Sequence, residues 1–258
     1  MEFIKEIILD NNSGQVAGKA MHEALKDNKV VKLVPNWHIT DLRAFYDQTI
    51  SQIGEVIEIG EDFTKGGVQT GERWLEIRYD HDIPDLAAYR HSKNAQPLHT
   101  DESYIPDPAD IMVFYCVNRA PKGGGTTFVN GPELVEYLER NHSSLLAELC
   151  TTKVRYEKGG QSRTEKIIDL SNPAKPAFNY NYYCIDKSES QENKSLNERF
   201  FKVLQEEVAH SYMAKKVYLA PGEGVAWWDH FVLHGRESFA AFKTNDRFIW
   251  KAGIKWKS

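Results

Sequence analysis

One run constrains the fold more than any other: Ile111-Met112-Val113-Phe114-Tyr115-Cys116-Val117, bounded by Pro108 and Pro121. An uninterrupted apolar stretch of strand length keeps no polar face for water, so it suits a strand buried on both sides. Shorter runs of strand character surround it. Residues 30–34 are β-branched and stop at Pro35, and 73–79 alternate, with Trp74, Glu76 and Arg78 on one face. Thr126 to Val129 extend again after the breaker Gly123-Gly124-Gly125, and 152–156 read as a short strand. Residues 216–219, the turn 221–224 and 225–228 make a strand, turn and strand, 229–235 bend the chain, and 247–254 form the last strand.

Helical periodicity marks 13–28, where Val16, Ala17, Ala20, Met21, Ala24 and Leu25 recur on one side. A second helix follows Thr40 as N-cap, and a third opens at Gly131-Pro132-Glu133, where proline's missing N–H costs nothing. Ser143 or Ser144 caps a short helix through Leu149, and a last one spans 197–210. Irregular chain is expected around Gly66-Gly67 and Thr70-Gly71, extended aromatic chain over 178–183, and an exposed polar loop over 188–194. Helices first, then many short strands, then helices inserted before closing strands indicate an α+β chain. The economical architecture is a cupin-like jelly roll with flanking helices, a single domain over 1–258.

Composition excludes several functions. A net charge of −5 with basic residues dispersed offers no stripe for a phosphate backbone, so nucleic acid is not expected as a partner. The start, Met1-Glu2-Phe3-Ile4-Lys5-Glu6, mixes acids with apolar residues, and no later segment approaches a membrane-spanning length. Cys116, Cys150 and Cys184 are odd in number and lack a C-x-x-C pair, which argues against a disulfide framework and for a reducing, cytoplasmic setting. A small-molecule substrate is expected, and a homo-oligomer is compatible with the sequence.

The chemistry centres on His99-Thr100-Asp101. On an extended strand residues i and i+2 project together, so this imidazole and carboxylate can reach one metal ion. Two histidines and a carboxylate on one face of an octahedral ion are the set used by non-haem Fe(II) oxygenases. The second imidazole is best supplied by His234, in Leu233-His234-Gly235-Arg236, where Gly235 lets the backbone pass close to a ligand. His230 competes, and its i, i+4 relation to His234 suggests zinc, but the surrounding glycines and Trp227-Trp228 argue for turn and strand. A 2-oxoacid needs a partner for its distal carboxylate. Arg247 offers a planar fork and Thr126 a hydroxyl.

These pieces, His99-Thr100-Asp101, Gly123-Gly124-Gly125-Thr126, Trp228-Asp229 with Leu233-His234-Gly235-Arg236, and Arg247, stand in the order and spacing of a known family. The chain resembles the taurine dioxygenase-like (TauD/TfdA) Fe(II)/2-oxoglutarate oxygenases, near their γ-butyrobetaine hydroxylase branch. The resemblance covers about residue 90 to the end. It implies a double-stranded β-helix, iron held by His99, Asp101 and His234, and 2-oxoglutarate held by Thr126 and Arg247, with dioxygen as co-substrate and succinate and CO2 released. Related halogenases replace the metal carboxylate with a small residue, so Asp101 argues against halogenation. Lys251 is i+4 from Arg247, at the place of a substrate-binding arginine in the taurine enzyme; a lysine there argues against a sulfonate held in the same way. Arg78, Tyr104, Tyr180, Asn181 and Arg236 are further substrate candidates, and Asp229 is either support for the metal ligands or a turn residue. The expected reaction is hydroxylation of a C–H bond of a small polar metabolite, an amino acid or amine-bearing carboxylate. The alternatives are a non-catalytic jelly-roll binding module, or a cupin-type metalloenzyme that does not use 2-oxoglutarate.

Overall fold

The computed structural model describes residues 2–58, 72–83 and 89–257. The irregular chain expected around Gly66-Gly67 and Thr70-Gly71 falls outside the described residues. In chain order the elements begin with β1 (Ile4–Leu9), α1 (Gly14–Asp27), β2 (Val30–Pro35), α2 (Leu42–Ser51), β3 (Gly54–Ile57), β4 (Leu75–Arg78), β5 (Gln96–His99) and β6 (Ile111–Asn118). There follow β7 (Lys122–Gly123), β8 (Thr126–Asn130), α3 (Gly131–Asn141), α4 (Ser143–Thr151), β9 (Lys153–Lys158), β10 (Gln161–Lys166), β11 (Ile168–Asp169) and β12 (Ala177–Phe178). The last are α5 (Gln191–Val203), β13 (Ala214–Val217), β14 (Gly224–Trp228), β15 (Val232–Arg236), β16 (Phe239–Ala240) and β17 (Phe248–Trp256).

Two sheets carry the architecture. The larger runs β1-β2-β14-β6-β17-β3 with β4 also on β17, and the smaller runs β13-β8-β15-β5. Between them lies an apolar layer drawn from both, including Met112, Phe114, Cys116, Val225, Trp227 and Ile249 from the first and Phe128, Val217 and Val232 from the second. The outer face of the larger sheet packs on α1 and α2 through Val113, Tyr115, Met21 and Phe45. Behind the smaller sheet α3, α4 and α5 form another layer around Leu134, Leu149 and Phe200. The central run therefore alternates between two cores, Met112 and Phe114 to one and Val113 and Tyr115 to the other, which is why it has no polar member. This is the expected jelly-roll core with flanking helices.

Several elements differ from expectation. β1 pairs in parallel with β2 and was not foreseen; five of its six residues are at least partly open to solvent, so its apolar signal is weak. The second helix is capped by Asp41, whose carboxylate accepts the Ala44 N–H at 3.0 Å, not by Thr40. The polar run 188–194 is only partly loop, because Ser190 caps α5 and the chain is helical from Gln191. That helix ends at Val203 and continues as a single π turn, Leu204–Val208, instead of spanning 197–210. Residues 178–183 are not one extended piece: β12 ends at Phe178 and Tyr182–Cys184 is a 3-10 turn. The strand placed at 216–219 lies at Ala214–Val217, and the bend placed over 229–235 gives way at Val232 to a strand that holds His234. Among the described residues no helix is long and apolar enough to cross a membrane.

Candidate active site

Cross-strand pairing assembles the site. β5 and β15 run antiparallel with His99 and His234 as direct partners, so the imidazoles leave the sheet side by side with ring centroids 4.3 Å apart. Gly235 makes this approach possible: a Cβ there would lie 2.7 Å from the Gln96 carbonyl oxygen. The close neighbour is thus the β5 backbone, where the sequence suggested a ligand. Asp101 follows β5 in the turn 101–104. Its Oδ1 stands 3.7 Å from His99 Nε2 and its Oδ2 3.5 Å from His234 Nε2, so one donor atom from each residue falls within 4.8 Å of the others.

The remaining ring nitrogens fix which atoms face inward. His99 Nδ1 lies 2.8 Å from the Pro97 carbonyl, to which it donates, leaving the Nε2 lone pair free to accept. The Gln96 side-chain amide donates to that Nε2 at 3.0 Å. His234 Nδ1 faces Asp229 Oδ1 at 3.5 Å, and the same oxygen accepts from Trp227 Nε1 at 3.2 Å. Asp229 is fully buried behind the imidazole, so of the two roles open to it the placement favours support.

Electrostatics prepare the same atoms. Burial, reinforced by the neighbouring His99, holds His234 well below the usual histidine range, which keeps the ring neutral and able to ligate. For Asp101 burial acts upward, but the Lys251 ammonium, with the neighbouring His234 and His99, outweighs it and holds the carboxyl well below the ordinary range. Burial, then the Asp101 charge, pushes Asp229 up. A carboxylate held well below its ordinary range beside two imidazoles whose Nε2 atoms face it is the donor set of a facial Fe(II) centre, so the residues present fit that metal.

Lys251 completes the cluster, with Nζ 2.7 Å from Asp101 Oδ2 and the side chain buried. It shares the inner side of the closing strand region with Arg247, as the i+4 spacing predicted, and both line a cavity of about 340 Å³ that opens from the three donors. Arg247 is buried, its Nε donates to the Gly124 carbonyl at 3.3 Å, and burial pulls it down to about 10, still charged at neutral pH. Gly124 has φ 75°, and its missing Cβ leaves room for the arginine stem, since that atom would stand 3.2 Å from Arg247 Cδ. Thr126 lines the cavity directly across the ladder from Arg236.

The substrate candidates divide. Asn181, Arg236 and Lys251 line the cavity. Arg236 also ties the segment before β5 to β15, donating to the Ser92 and Asn94 carbonyls at 2.9 and 2.7 Å. The other three do not line it. Arg78 is engaged by Glu76 at 2.8 Å and Asp80 at 3.2 Å. Tyr104 belongs to the apolar layer under the helices, and Tyr180 is buried with its ring 4.7 Å from Phe200. Their apolar bodies reward burial in a core more than exposure in a cavity. Conversely Gln96, Leu75, Ile77, Tyr89, Tyr182 and Tyr183 line the cavity without having been anticipated. Gln96, three residues before His99, and Tyr182 and Tyr183, directly after the candidate Asn181, carried a signal by proximity in sequence.

A family model, taurine catabolism dioxygenase TauD, TfdA family, matches residues 11–252. This chain belongs to the TauD/TfdA family. It is accordingly a dioxygenase of that family, which displaces both the non-catalytic module and the cupin-type alternative. The match is to the family as a whole and does not single out the γ-butyrobetaine hydroxylase branch. No curated protein matches the sequence. Among solved structures, PvcB from Pseudomonas aeruginosa is similar with TM-score 0.64 at 18% identity, over 97% of this chain and 86% of that one. An asparagine oxygenase in complex with Fe(II), 2S,3S-3-hydroxyasparagine and succinate gives TM-score 0.67 at 11% identity, over 93% of this chain and 78% of that one. A taurine dioxygenase from Burkholderia xenovorans gives 0.65 at 12%, over 98% and 88%. At these identities the likeness is one of fold, and it places this TauD/TfdA-family chain on the jelly roll expected from its sequence.

Proposed function

We propose that this TauD/TfdA-family dioxygenase uses Fe(II), 2-oxoglutarate and dioxygen to hydroxylate a C–H bond of a small polar metabolite, an amino acid or amine-bearing carboxylate, with release of succinate and CO2. His99, Asp101 and His234 would hold the iron, and Arg247 with Thr126 the distal carboxylate of 2-oxoglutarate. The observation that carries the reading is one cavity joining two inward imidazole nitrogens, a carboxylate and a buried guanidinium. Bound there, Fe(II) and 2-oxoglutarate supply the oxidising chemistry. The chain supplies orientation and charge: the Pro97 carbonyl and Asp229 set the two rings, Lys251 balances Asp101, and Leu75, Ile77, Leu98 and Phe114 limit water around the reacting carbon. Its structural relatives support the reading: an asparagine oxygenase with Fe(II) and succinate, and PvcB, an Fe, alpha-ketoglutarate dependent oxygenase from an isonitrile synthetic pathway.

We further read residues 1–258 as one domain working in the cytoplasm, a setting in which Cys116, Cys150 and Cys184, none of them in a disulfide, stay reduced. The activity is tested by adding Fe(II) and 2-oxoglutarate to the protein without oxygen. A visible charge-transfer band is expected, absent in Asp101→Ala, and in Arg247→Ala requiring about 10- to 100-fold more 2-oxoglutarate, the loss of one charge-assisted pair. No band in the unaltered protein sinks the proposal.

A further inference from the structure

Lys251 reaches the cavity from the middle of the larger sheet. Its ladder partners are Phe114 on β6 and Leu75 on β4, two apolar residues that line the same cavity. Cross-strand partners share a face, so the lysine stem runs between them and carries the ammonium forward to Asp101. The contact, 2.7 Å to Oδ2, is shielded: 9% of the lysine side chain and 15% of the aspartate side chain are open to solvent. Water and salt therefore screen this charge little.

The lysine's partner is also the carboxylate of the donor set, 3.7 Å from His99 Nε2 and 3.5 Å from His234 Nε2. An ammonium on that carboxylate acts twice. It draws electron density from the group that a metal would use, and it stands as a fixed positive charge next to the metal position. Repulsion between a fixed charge and an ion grows with the charge of the ion, so Lys251 disfavours Fe(III) more than Fe(II). The apolar collar of Phe114 and Leu75 strengthens that difference by lowering the local dielectric.

We propose that Lys251 is a positioning residue that acts through Asp101 to raise the reduction potential of the bound iron, and so keeps it ferrous. This rests on the oxygenase reading, in which His99, Asp101 and His234 hold Fe(II), and goes beyond it: the lysine i+4 from Arg247, a substrate candidate by its spacing, is turned to the metal's own ligand.

The test loads the full chain with Fe(II) and 2-oxoglutarate without oxygen and follows the charge-transfer band through a mediated redox titration. The unaltered protein is compared with Lys251→Gln, Lys251→Met and Lys251→Arg. Gln keeps a polar tip that can donate to Asp101 but has no charge, Met keeps neither, and Arg keeps the charge. Both neutral variants are expected to favour Fe(III) over Fe(II) at least about tenfold more than the unaltered protein does, a potential lower by about 59 mV. Lys251→Arg is expected to stay within about threefold of the unaltered protein. Either neutral variant serves if the other fails to fold. An unmoved or higher potential in an iron-loaded neutral variant overturns the inference, and so does an equal drop in Lys251→Arg, which would take the effect away from charge. A normal band with an unmoved potential sinks this inference alone, whereas failure of the unaltered protein to form the band sinks the oxygenase reading and this inference with it.

Discussion

Lys251 Nζ lies 2.7 Å from Asp101 Oδ2, a buried lysine paired with the carboxylate that stands between two imidazoles. The lysine comes from the larger sheet and the aspartate from the turn after β5 of the smaller one, so the pair bridges the two sheets at the cavity. Removing one partner strands the other charge away from water. Metal-free Lys251→Met is expected to lose about 3 kcal/mol in urea denaturation, and added Mn(II) to recover more stability in the variant than in the unaltered protein. Equal stability of the two metal-free proteins would show that the pair is not a buried ion pair in solution.

If His234 holds the metal as proposed, Asp229, 3.5 Å from its Nδ1, would act on the metal through that ring. A carboxylate behind a ligating imidazole fixes the ring and raises its basicity, and its loss typically costs about 10- to 100-fold in metal affinity. Asp229→Asn is expected to weaken Mn(II) or Fe(II) binding by about that factor, measured by calorimetry on the metal-free protein. Unchanged affinity would return Asp229 to the role of a turn residue.

Gly235 is required by the spacing between β15 and β5. Because the obstructing atom is the Gln96 backbone oxygen, 2.7 Å from a would-be Cβ, the added methyl of Gly235→Ala pushes the strands apart at the two histidines. A loss of about 1–3 kcal/mol is expected, together with weaker metal binding. A variant as stable as the parent, with normal affinity, contradicts this packing.

Away from the cavity, burial pulls Lys29 down to about 8 from the ordinary 10.5, and its Nζ donates to Asn130 Oδ1 at 3.3 Å. The folded value lies below the unfolded one, so folding penalises the protonated lysine. The penalty is complete below about pH 8 and fades as the pH rises towards 10.5, and Lys29 therefore makes stability increase across that window. Lys29 is only partly buried, and solvent screening reduces the effect to about 1 kcal/mol. The stability gap between Lys29→Met and the parent is expected to shift by that amount in the parent's favour from pH 7 to 10.5. A gap independent of pH refutes the assignment.

The helix over 13–28 was legible because its apolar residues repeat at helical spacing behind Ser13, whose hydroxyl accepts the Val16 N–H. The polar stretch 188–194 misled for a related reason: the first turns of α5 are mostly exposed, so composition resembles loop where backbone hydrogen bonding is already helical. Tyr104 and Tyr180 show the same limit at the site. Residue type says that an aromatic ring can serve a cavity or a core, and packing against α3 to α5 decides for core.

What the sequence determined by itself is the set of chemical groups and their order: two imidazoles, a carboxylate, a guanidinium after a glycine run, and a strand apolar enough to be central. Their meeting required the tertiary structure. His99 and His234 are 135 positions apart, and only the antiparallel register of β5 with β15 makes them neighbours. Likewise nothing local to Lys251 announces Asp101 as its partner, because their contact depends on how one sheet lies over the other. Side-chain chemistry is local, whereas distance between side chains is set by strand register and sheet packing, and those are properties of the whole chain.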